Sequence, residues 1–279
     1  MIDNDSRAAS VPADEVSGAT GRTRLALEDA VIVANEQIAP QVHVVTLSAP
    51  RCARLCLPGQ FVHIMVPGDA TELLRLPFSV YRSVPEEGTI ALMYQTLGRG
   101  TQRLSMLLPG TPTDLIGPIG GCWGPPEGCS RALLVSGGLG AAPLVMLAEQ
   151  LADRGVGIDI CMGAPTSSRL VAREDLARCG ELHIATDDGS EGSEGFCTQV
   201  SELLLQDNDY DYLATCGPYP MERIVARQAE AYEVFCEVSL ETLMACGVGA
   251  CLSCVVDTVE GKRRVCVDGP IFDAGKVVW

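Results

Sequence analysis

The sequence predicts a small antiparallel β barrel, then a doubly wound α/β domain with a parallel sheet, and finally a short cysteine-rich C-terminal module. Three observations support this fold class. Short β-forming runs separated by turn residues fill the first third of the chain, and strands alternate with helices in the middle. Four cysteines then fall within 21 residues near the end. A chain of 279 residues is long enough for two domains and an appendage.

The domain boundaries follow from where these patterns change. We expect a disordered leader over residues 1–22, the barrel domain over 23–128, the α/β domain over 129–238 and the C-terminal module over 239–279. The leader is rich in Ser, Ala, Asp and Gly and lacks the apolar stretch of an export signal. The C-terminal module is too small to bury a core of its own, so it needs a ligand or a neighbour.

Composition excludes several classes of function. A net charge of −16 would repel a phosphate backbone, so nucleic acid is a poor partner. No apolar run is long enough to cross a bilayer, so we expect no membrane association. Thirteen cysteines without an export signal fit a reducing compartment, which predicts a cytoplasmic protein whose first nine cysteines are buried thiols. The three histidines, His43, His63 and His183, lack metal-ligand spacing and are predicted to be structural.

The barrel strands are predicted from β-forming runs between turn residues: Ala30 to Ala34, Val42 to Leu47, Phe61 to Val66, Phe78 to Tyr81 and Thr89 to Gln95. A helix over Gln102 to Leu108 interrupts them, because leucines recur there at helical spacing before Pro109 and Gly110. The glycine-rich loop that precedes this helix can bind an anion at the helix N-terminus.

The α/β domain is predicted from strands and helices that alternate along the chain. The predicted strands are Ala132 to Val135, Ile158 to Met162, Leu182 to Ala185, Tyr212 to Thr215 and Val234 to Glu237. The predicted helices are Pro143 to Ala152, Leu170 to Cys179, Val200 to Leu205 and Met221 to Ala231.

The cysteine group of the C-terminal module has the spacing of a metal site. Cys246, Cys251, Cys254 and Cys266 form C-x4-C-x2-C, with the fourth cysteine after eleven further residues. This is the opening spacing of plant-type [2Fe-2S] sites. Gly247 and Gly249 let the backbone wrap tightly and direct N–H groups at sulfur. The alternatives are a structural zinc site, which usually opens with a shorter loop, and a chance group of buried cysteines.

A glycine-rich segment, Ser136 to Pro143, lies between a predicted strand and a predicted helix. In this context Gly138 and Gly140 can admit a pyrophosphate at the helix N-terminus, although Pro143 replaces the third glycine of the dinucleotide fingerprint. A second turn at the same sheet edge consists of Cys216, Gly217 and Pro218. Both segments could also be ordinary tight turns. Cys216 could lie near a nicotinamide or be a buried thiol, and we assign it no catalytic role.

Several motifs together resemble a known family. They are Leu76-Pro77-Phe78-Ser79, Gly100-Thr101, Gly117-Pro118-Ile119-Gly120, Gly137 to Gly140 with Pro143, Cys216-Gly217-Pro218 and the four-cysteine tail. Their order resembles that of the ferredoxin reductase superfamily. Within it the chain most resembles the electron transfer subunits of NAD-dependent (class 1B) dihydroorotate dehydrogenase. The stretches Leu243 to Cys251 and Val265 to Phe272 carry that closer resemblance, which spans about residue 25 to the end.

The resemblance implies FAD in the barrel, NAD(H) on the α/β domain and a [2Fe-2S] cluster in the tail. It implies FAD contacts from Leu76, Pro77, Phe78, Ser79, Met93, Tyr94, Gln95, Gly100 and Thr101. It also implies a catalytic dihydroorotate dehydrogenase partner that contains FMN, in a heterotetramer with two copies of each subunit. Electrons would pass from that partner through the cluster and FAD to NAD⁺, in the synthesis of UMP. Hydride transfer to nicotinamide needs no acidic or nucleophilic side chain, so we expect no catalytic residue.

One position departs from the superfamily pattern. Leu76 stands where an arginine usually precedes the serine by three residues, and Arg75 lies one residue earlier. A shift of one residue along a strand sends a side chain to the other face. Arg75 would therefore reach a phosphate only if the strand bulges. Gln95 is a second position at which a positively charged side chain is expected but absent. The resemblance therefore implies a flavin site with less positive charge than usual.

Two alternative functions stay open. The chain could be the flavin and iron–sulfur subunit of another NAD(P)H-dependent complex, of the ferredoxin:NADP oxidoreductase, sulfide dehydrogenase or sulfite reductase type. It could also be a zinc-binding interaction subunit whose glycine segments are only turns. The residues leave both NAD and NADP open, although Asp187 and Asp188, after the third strand of the α/β domain, argue against binding of a 2′-phosphate.

Overall fold

A computed structural model describes residues 16–17, 22–23, 25–68 and 74–279. Strand β1 (Val16–Ser17) pairs antiparallel with β2 (Arg22–Thr23). The rest of the predicted leader, residues 1–22, lies outside the described residues. From residue 25 onward the chain forms the barrel and the α/β domain in the predicted order.

The first domain is a closed barrel of six antiparallel strands in the spatial order β3-β4-β7-β6-β5-β8. Its strands are β3 (Ala26–Ala39), β4 (Val42–Ser48), β5 (Phe61–Ile64), β6 (Leu76–Val84), β7 (Thr89–Gln95) and β8 (Pro112–Ile119). Strand β8, which the sequence pattern did not predict, closes the barrel by pairing with β3 and β5. Its Pro112, Gly117 and Pro118 are residues typical of turns, which hid the strand.

Two short helices flank the barrel. Helix α1 (Pro50–Leu55) was not predicted, and helix α2 (Arg99–Leu104) is shifted from the predicted Gln102 to Leu108. The amide of Asn35 on β3 donates hydrogen bonds to the carbonyl oxygens of Leu104 and Leu107, at 2.7 and 3.1 Å. Met106 and Leu108 are exposed and have no core to face. The helix therefore ends earlier than its leucine spacing predicts.

The second domain is a seven-stranded sheet in the order β12-β11-β10-β9-β13-β14-β17, parallel except for its last strand. The parallel strands are β9 (Arg131–Gly137), β10 (Gly157–Ala164), β11 (Glu181–Thr186), β12 (Ser193–Glu194), β13 (Tyr212–Cys216) and β14 (Cys236–Ser239). Its helices are α3 (Ala142–Asp153), α4 (Arg173–Ala177), α5 (Cys197–Asp207) and α6 (Tyr219–Ala231). No helix of the described residues is long and apolar enough to cross a membrane.

Helix α4 is much shorter than the predicted helix from Leu170 to Cys179. A 3₁₀ turn occupies Ser167–Arg169, and Ala172 adopts a left-handed φ of 58° directly before α4. A left-handed residue cannot continue a right-handed helix. Only five residues therefore form α4.

The C-terminal tail is joined to the α/β domain. Beyond β14 the chain forms β15 (Val255–Thr258), β16 (Gly261–Arg264), the short helix α7 (Val265–Asp268) and β17 (Ile271–Asp273). Strand β17 pairs antiparallel with β14 and forms the edge of the seven-stranded sheet. The predicted module therefore contributes a strand to its neighbour, and residues 240–270 leave that sheet and return to it.

The barrel and the α/β domain share a hydrophobic core. Val42, Met93 and Trp123 lie in the same buried cluster as the apolar face of α3. The indole nitrogen of Trp123 donates a 3.2 Å hydrogen bond to the carbonyl oxygen of Pro143. On the surface, Arg82 forms ion pairs with Glu149 and Asp175. This packing holds strand β6 beside the carboxyl edge of the sheet, where the nucleotide-binding turns are predicted.

Candidate functional site

The four predicted cysteine ligands lie on one loop system of the tail, in two pairs. The sulfur atoms of Cys254 and Cys266 are 3.3 Å apart, and both residues are buried at 3% exposure. The backbone N–H of Cys251 lies 3.4 Å from the sulfur of Cys246. Cys251 is exposed, whereas Cys246 is half-buried. The first and second cysteines thus form one pair, and the third and fourth form the other.

The loop is built to hold a thiolate at Cys246. Backbone N–H groups of Val248 and Cys251 each donate to its sulfur at 3.4 Å. Burial opposes ionisation, but these donors outweigh it and lower the pKa of Cys246 to about 6. Gly249 has a φ of 80°, and a side chain there would meet Val267 at 2.5 Å. The glycines therefore permit the tight turn that the sequence pattern predicted.

The arrangement of the cysteines in two pairs is suited to a dinuclear centre. Four thiolates on one zinc, with Zn–S bonds of about 2.3 Å, require sulfur atoms about 3.8 Å apart throughout. Among the described residues, the one group of three or more potential ligands with all ligand atoms within 4.8 Å is Asp159, Glu181 and His183. The four cysteine sulfurs therefore do not converge on one point. Two separate pairs fit the two irons of a [2Fe-2S] cluster.

The cysteine loop packs against the barrel. The N–H of Gly121 donates a 2.6 Å hydrogen bond to the carbonyl oxygen of Gly269, and a side chain at Gly120 would meet Pro270 at 2.5 Å. A side chain at Gly247 would lie 2.9 Å from Nδ1 of His63 on β5. The loop therefore covers the outer face of β5, the strand that pairs with β6.

Strand β6 carries the predicted flavin motif, Leu76 to Ser79, and has an open face. Its residues are half-buried along the whole strand except Val80, whereas every residue of β5 is buried. Phe61 pairs with Ser79 and His63 with Pro77. Phe78 packs partly on the barrel core and lies 5.5 Å from the ring of Tyr94. A half-buried strand face beside the cysteine loop can receive a flat aromatic ligand.

Strand β7 presents its predicted flavin residues in three different ways. Met93 is buried at 4% exposure in the core shared by the two domains. Tyr94 is fully buried in the barrel, where its hydroxyl donates a 2.9 Å hydrogen bond to Asn35. Gln95, at the strand end, is half-buried. The side chain of Tyr94 is thus engaged in the core, which leaves its backbone for a ligand contact.

Gly100 and Thr101 lie in the first turn of α2. The hydroxyl oxygen of Thr101 accepts hydrogen bonds from the N–H groups of Leu97 and Gly98, at 2.9 and 3.1 Å. This bond pattern closes the turn before the helix. Thr101 therefore shapes the loop, and backbone N–H groups of the first turn are the groups suited to a pyrophosphate.

Arg75 lies just before β6 and binds to a residue of strand β8. Its guanidinium forms an ion pair with the carboxylate of Asp114 and donates a 3.2 Å hydrogen bond to the carbonyl oxygen of that residue. Leu76 pairs with Ile64 and packs against the barrel core. The displaced arginine thus has an internal partner, which agrees with a flavin site of reduced positive charge.

The two turns predicted to bind the nucleotide lie in contact at the carboxyl edge of the sheet. A side chain at Gly140 would lie 2.2 Å from the carbonyl oxygen of Cys216, and one at Gly137 would lie 2.7 Å from Pro218. Gly138 has a φ of 54° and open space where a side chain would stand. Gly140 therefore permits close packing of the turns, whereas Gly138 leaves room for a ligand.

The thiol of Cys216 is buried at 1% exposure, and burial raises its pKa well above the ordinary value. Glu222 on α6 lies beside this turn at 2% exposure and accepts a 3.1 Å hydrogen bond from the N–H of Gly217. Burial raises the pKa of Glu222 to about 8; the Gly217 bond opposes the shift and Glu241 adds to it. Cys216 is thus a neutral buried thiol that can contact a ligand only through its backbone.

The histidines differ in their surroundings. His43 stacks on Tyr94 with ring centroids 5.4 Å apart, and His183 lies 2.9 Å from a carboxylate oxygen of Asp159. The structural role of these two histidines stays a prediction, and His183 lies in a group with Asp159 and Glu181 whose ligand atoms are all within 4.8 Å of one another. His63 is fully buried, yet neither ring nitrogen has a hydrogen-bond partner in the part of the chain that the structure describes. Sequence reasoning missed His63, Asn35 and Glu222, because their surroundings come from distant segments.

Comparisons with curated proteins agree on one description. Residues 241–278 match the model of the iron–sulfur cluster binding domain of dihydroorotate dehydrogenase B. The chain is 39% identical over 264 residues to the electron transfer subunit of dihydroorotate dehydrogenase B (NAD(+)) from Bacillus caldolyticus, covering 92% of this chain and 99% of the relative. It is 40% identical over 264 residues to the subunit from Geobacillus thermodenitrificans, with the same coverage of both chains.

Solved structures share the fold. A chain from a structure of the NADH-dependent reduced ferredoxin–NADP oxidoreductase superposes with a TM-score of 0.82 at 30% identity, covering 91% of this chain and 90% of that one. The ferredoxin reductase of carbazole 1,9a-dioxygenase superposes with a TM-score of 0.63 at 23% identity, covering 75% of this chain and 67% of that one. The second likeness concerns the fold alone.

Proposed function

The chain belongs to the family of electron transfer subunits of NAD(+)-dependent dihydroorotate dehydrogenase B, and we propose that it links dihydroorotate oxidation in a catalytic partner to NAD⁺ reduction. One observation carries the proposal. The loop with two cysteine pairs rests on His63, whose strand pairs with the open strand β6. A cluster site and a flavin site therefore lie next to each other.

Three groups of residues would bind the cofactors. The cluster ligands are Cys246, Cys251, Cys254 and Cys266. The FAD contacts are Leu76, Pro77, Phe78, Ser79, Met93, Tyr94, Gln95, Gly100 and Thr101. The NAD contacts are Gly138, Gly140, Cys216, Gly217 and Pro218, the last three through the backbone of their turn. The tight contact between the Gly140 and Cys216 turns supports a single nucleotide site built from both.

When bound, FAD and the cluster supply the exchange between single electrons and a hydride that NAD⁺ chemistry requires. The protein contributes binding, orientation and shielding from water. Strand β6 provides an apolar face, and the buried residues Met93 and Trp123 seal the space between the domains. Backbone N–H groups at the start of α2 and α3 favour the phosphates. None of these roles requires an acidic or nucleophilic side chain.

The partner would be a catalytic subunit that carries FMN, in a heterotetramer with two copies of each chain. Around the cysteine loop, Leu243, Val248 and Leu252 are exposed at 88%, 44% and 62%. Exposed apolar side chains around a redox centre are suited to a partner that must approach it closely. A cytoplasmic location fits thirteen cysteines that form no disulfide. Seven of the first nine are buried as predicted, but the prediction is wrong for Cys122, which is exposed, and for Cys179, which is half-buried.

A second candidate is the flavin and iron–sulfur subunit of another NAD(P)H-dependent complex. The observation in its favour is the TM-score of 0.82 with a chain of the ferredoxin–NADP oxidoreductase structure. The 39–40% identity to dihydroorotate dehydrogenase subunits, against 30% to that chain, favours the first function. The identity of the partner distinguishes the two.

The deciding experiment is anaerobic co-purification of this chain with the dihydroorotate dehydrogenase catalytic subunit from the same source. We expect FAD, FMN and about two irons per copy of this chain, together with dihydroorotate-dependent reduction of NAD⁺. A complex that holds zinc without iron, or one that ignores dihydroorotate, would reject the proposal. Co-purification with a subunit that carries [4Fe-4S] clusters would support the second candidate.

A matched pair of cysteine variants tests the ligand assignment. Cys251→Ser removes a proposed ligand, so we expect loss of the iron–sulfur spectrum and of dihydroorotate-dependent NAD⁺ reduction. Cys179→Ser changes a half-buried cysteine of the α/β domain and should retain both. FAD content measures the fold of the barrel in each variant. Retention of two irons by Cys251→Ser would contradict the assignment.

A further inference from the structure

His63 occupies a junction between three parts of the molecule. On β5, Val62 and Ile64 point into the barrel core, whereas Phe61 belongs to the buried cluster that contains Cys254 and Cys266. Because strand side chains alternate, His63 shares the outer face with Phe61, and their rings are 5.8 Å apart. His63 also pairs with Pro77 of the flavin motif. It therefore lies between the proposed flavin strand and the cysteine loop.

The imidazole of His63 lacks the partners that a buried polar group needs. The residue has no exposed surface, and among the described residues neither Nδ1 nor Nε2 has a hydrogen-bond partner. Leaving such a group unpaired in the protein interior is unfavourable, because it has lost its hydrogen bonds to water without replacement. Burial and the nearby charge of Arg75 lower the pKa of His63 to about 4, so the ring is neutral and keeps one N–H donor. A bound group at this junction can accept that hydrogen bond.

Gly247 of the cysteine loop lies over the face of the His63 ring, beside Nδ1. Gly247 has a φ of 67°, and a side-chain carbon there would lie 2.9 Å from Nδ1, 3.0 Å from Cε1 and 3.1 Å from Cγ. Because this contact is with the ring face, it does not block the N–H groups, which lie in the ring plane. Gly247 directly follows Cys246, whose sulfur already accepts two backbone hydrogen bonds from this loop. The loop therefore contacts the His63 ring beside Nδ1, one residue from a proposed cluster ligand.

We propose that His63 is a positioning residue for the iron–sulfur cluster, in which Nδ1–H donates a hydrogen bond to a cluster sulfur on the Cys246 side. This inference rests on the proposed function, because it needs a cluster on the four cysteines. A hydrogen bond to sulfur stabilises the reduced cluster, which carries the extra negative charge, and so raises its reduction potential. His63 would thereby tune the redox centre from the barrel, across the junction with the flavin strand.

Two substitutions at this position separate the hydrogen bond from packing. His63→Leu fills similar space without an N–H, whereas His63→Asn places an amide nitrogen near the position of Nδ1. We expect the ratio of reduced to oxidised cluster at a fixed solution potential to fall about tenfold in His63→Leu, a shift of about 59 mV for one electron. His63→Asn should recover most of this ratio. Redox titration followed by electron paramagnetic resonance measures the ratio directly.

A second readout is independent of the potential. Pulsed electron paramagnetic resonance of the reduced wild-type complex should detect a weakly coupled histidine nitrogen, and His63→Leu should lose it. The control is His183→Asn, which changes a histidine of the α/β domain that bonds to Asp159. Its cluster should keep the wild-type ratio and the nitrogen signal. Iron and FAD contents in every sample report loading.

The outcomes separate this inference from the proposed function. A wild-type complex without a [2Fe-2S] signal would overturn both. An intact cluster in His63→Leu with an unchanged reduced-to-oxidised ratio and an unchanged nitrogen signal would overturn the role of His63 alone. If His63→Leu fails to assemble, the pulsed spectra decide: absence of a coupled histidine nitrogen in the wild-type complex, or its persistence in His63→Asn, would also reject the hydrogen bond.

Discussion

Gly140 lies directly against the carbonyl group of Cys216: a side-chain carbon at position 140 would come within 2.2 Å of that oxygen. The contact joins the turn after β9 to the turn after β13. Backbone atoms lie on both sides of it, so neither can move aside as a flexible side chain would. The two turns therefore form one surface, and their separation depends on the absence of a side chain at this position.

Gly140→Ala should separate these turns and weaken NAD⁺ binding. Overpacking of this kind costs about 1–3 kcal/mol, so we expect a rise in the NAD⁺ dissociation constant of about tenfold or more. FAD and iron contents should stay at the wild-type level. Isothermal titration of the FAD-loaded protein with NAD⁺ measures the change.

The control for this substitution is Gly157→Ala at the start of β10. A side-chain carbon there would meet its nearest neighbour at an ordinary 3.6 Å. It should bind NAD⁺ like the wild type. Equal NAD⁺ affinity in both variants would show that the contact between the turns does not shape the nucleotide site.

Asn35→Leu should weaken FAD binding although Asn35 is outside the proposed flavin contacts. Its side chain holds the end of α2 through Leu104 and Leu107 and accepts the hydroxyl hydrogen bond of Tyr94. Each lost hydrogen bond costs about 0.5–1.5 kcal/mol, and α2 would lose its fixed position. We expect faster FAD release, measured by the recovery of flavin fluorescence after dilution.

Asn208→Leu is the matched control for that variant. Asn208 donates the same type of hydrogen bond, 3.0 Å long, to the carbonyl oxygen of Leu204 at the end of α5. Its loss should lower stability modestly and leave FAD release unchanged. Similar FAD release from both variants would mean that Asn35 acts only through general stability.

Stability should fall as the pH rises towards 8 because of Glu222. Its ordinary pKa of 4.5 applies in the unfolded chain, and burial raises the folded value to about 8. Between these values the folded protein binds more protons than the unfolded chain, so its unfolding free energy decreases with rising pH. Glu222→Gln keeps an acceptor for Gly217 but cannot ionise. It should flatten this dependence, by an amount on the order of a few kcal/mol between pH 5 and 9.

Urea denaturation of wild type and Glu222→Gln across this pH range provides the measurement. The variant should gain stability relative to the wild type mainly above pH 6. Glu202→Gln, in which the changed residue is a hydrogen-bond partner of Tyr232 on the α5 surface, serves as the control for loss of one charge. Parallel pH curves for the wild type and Glu222→Gln would show that Glu222 ionises freely in the folded protein.

Removal of the cluster should loosen only part of the tail. The segment from Leu243 to Cys254 has few regular backbone hydrogen bonds, and half of its residues are exposed. By contrast, Ile271, Phe272 and Asp273 are paired with β14. Hydrogen–deuterium exchange of chelator-treated protein should therefore accelerate in the cysteine loop and stay slow in β17. Uniform acceleration through residue 273 would indicate that the cluster also holds the edge of the sheet.

Local sequence patterns predicted the barrel, the α/β domain and the cysteine site. Each of these features depends on residues that are close together in the sequence. Strand β8 was missed since Pro112, Gly117 and Pro118 resemble turn residues, although the barrel needs that strand to close. Strand β17 was not predicted, although its Ile271 and Phe272 belong to a stretch that resembles the family. Its pairing with β14 is a long-range choice that periodicity does not encode.

Prediction of the candidate site from the sequence failed for the same reason. The spacing identified four cysteines, but their division into two pairs required the folded loop. Histidine spacing alone predicted a structural role for His63, because nothing near it in sequence indicates that Gly247 covers its ring. Asn35 is a similar case, since its partners on α2 lie about seventy residues away. Predictions from sequence were thus best where ligands share a segment and poorest where one side chain connects distant segments.

Residues 240–270 connect β14 to β17, which are adjacent strands of one sheet. A segment anchored at both ends in this way cannot swing as a tethered arm between two docking positions. The same segment also contacts the barrel, through the hydrogen bond from Gly121 to Gly269 and the packing of Gly247 on His63. The four cysteines therefore keep one position relative to both domains, so the distance from a cluster that they hold to strand β6 is fixed.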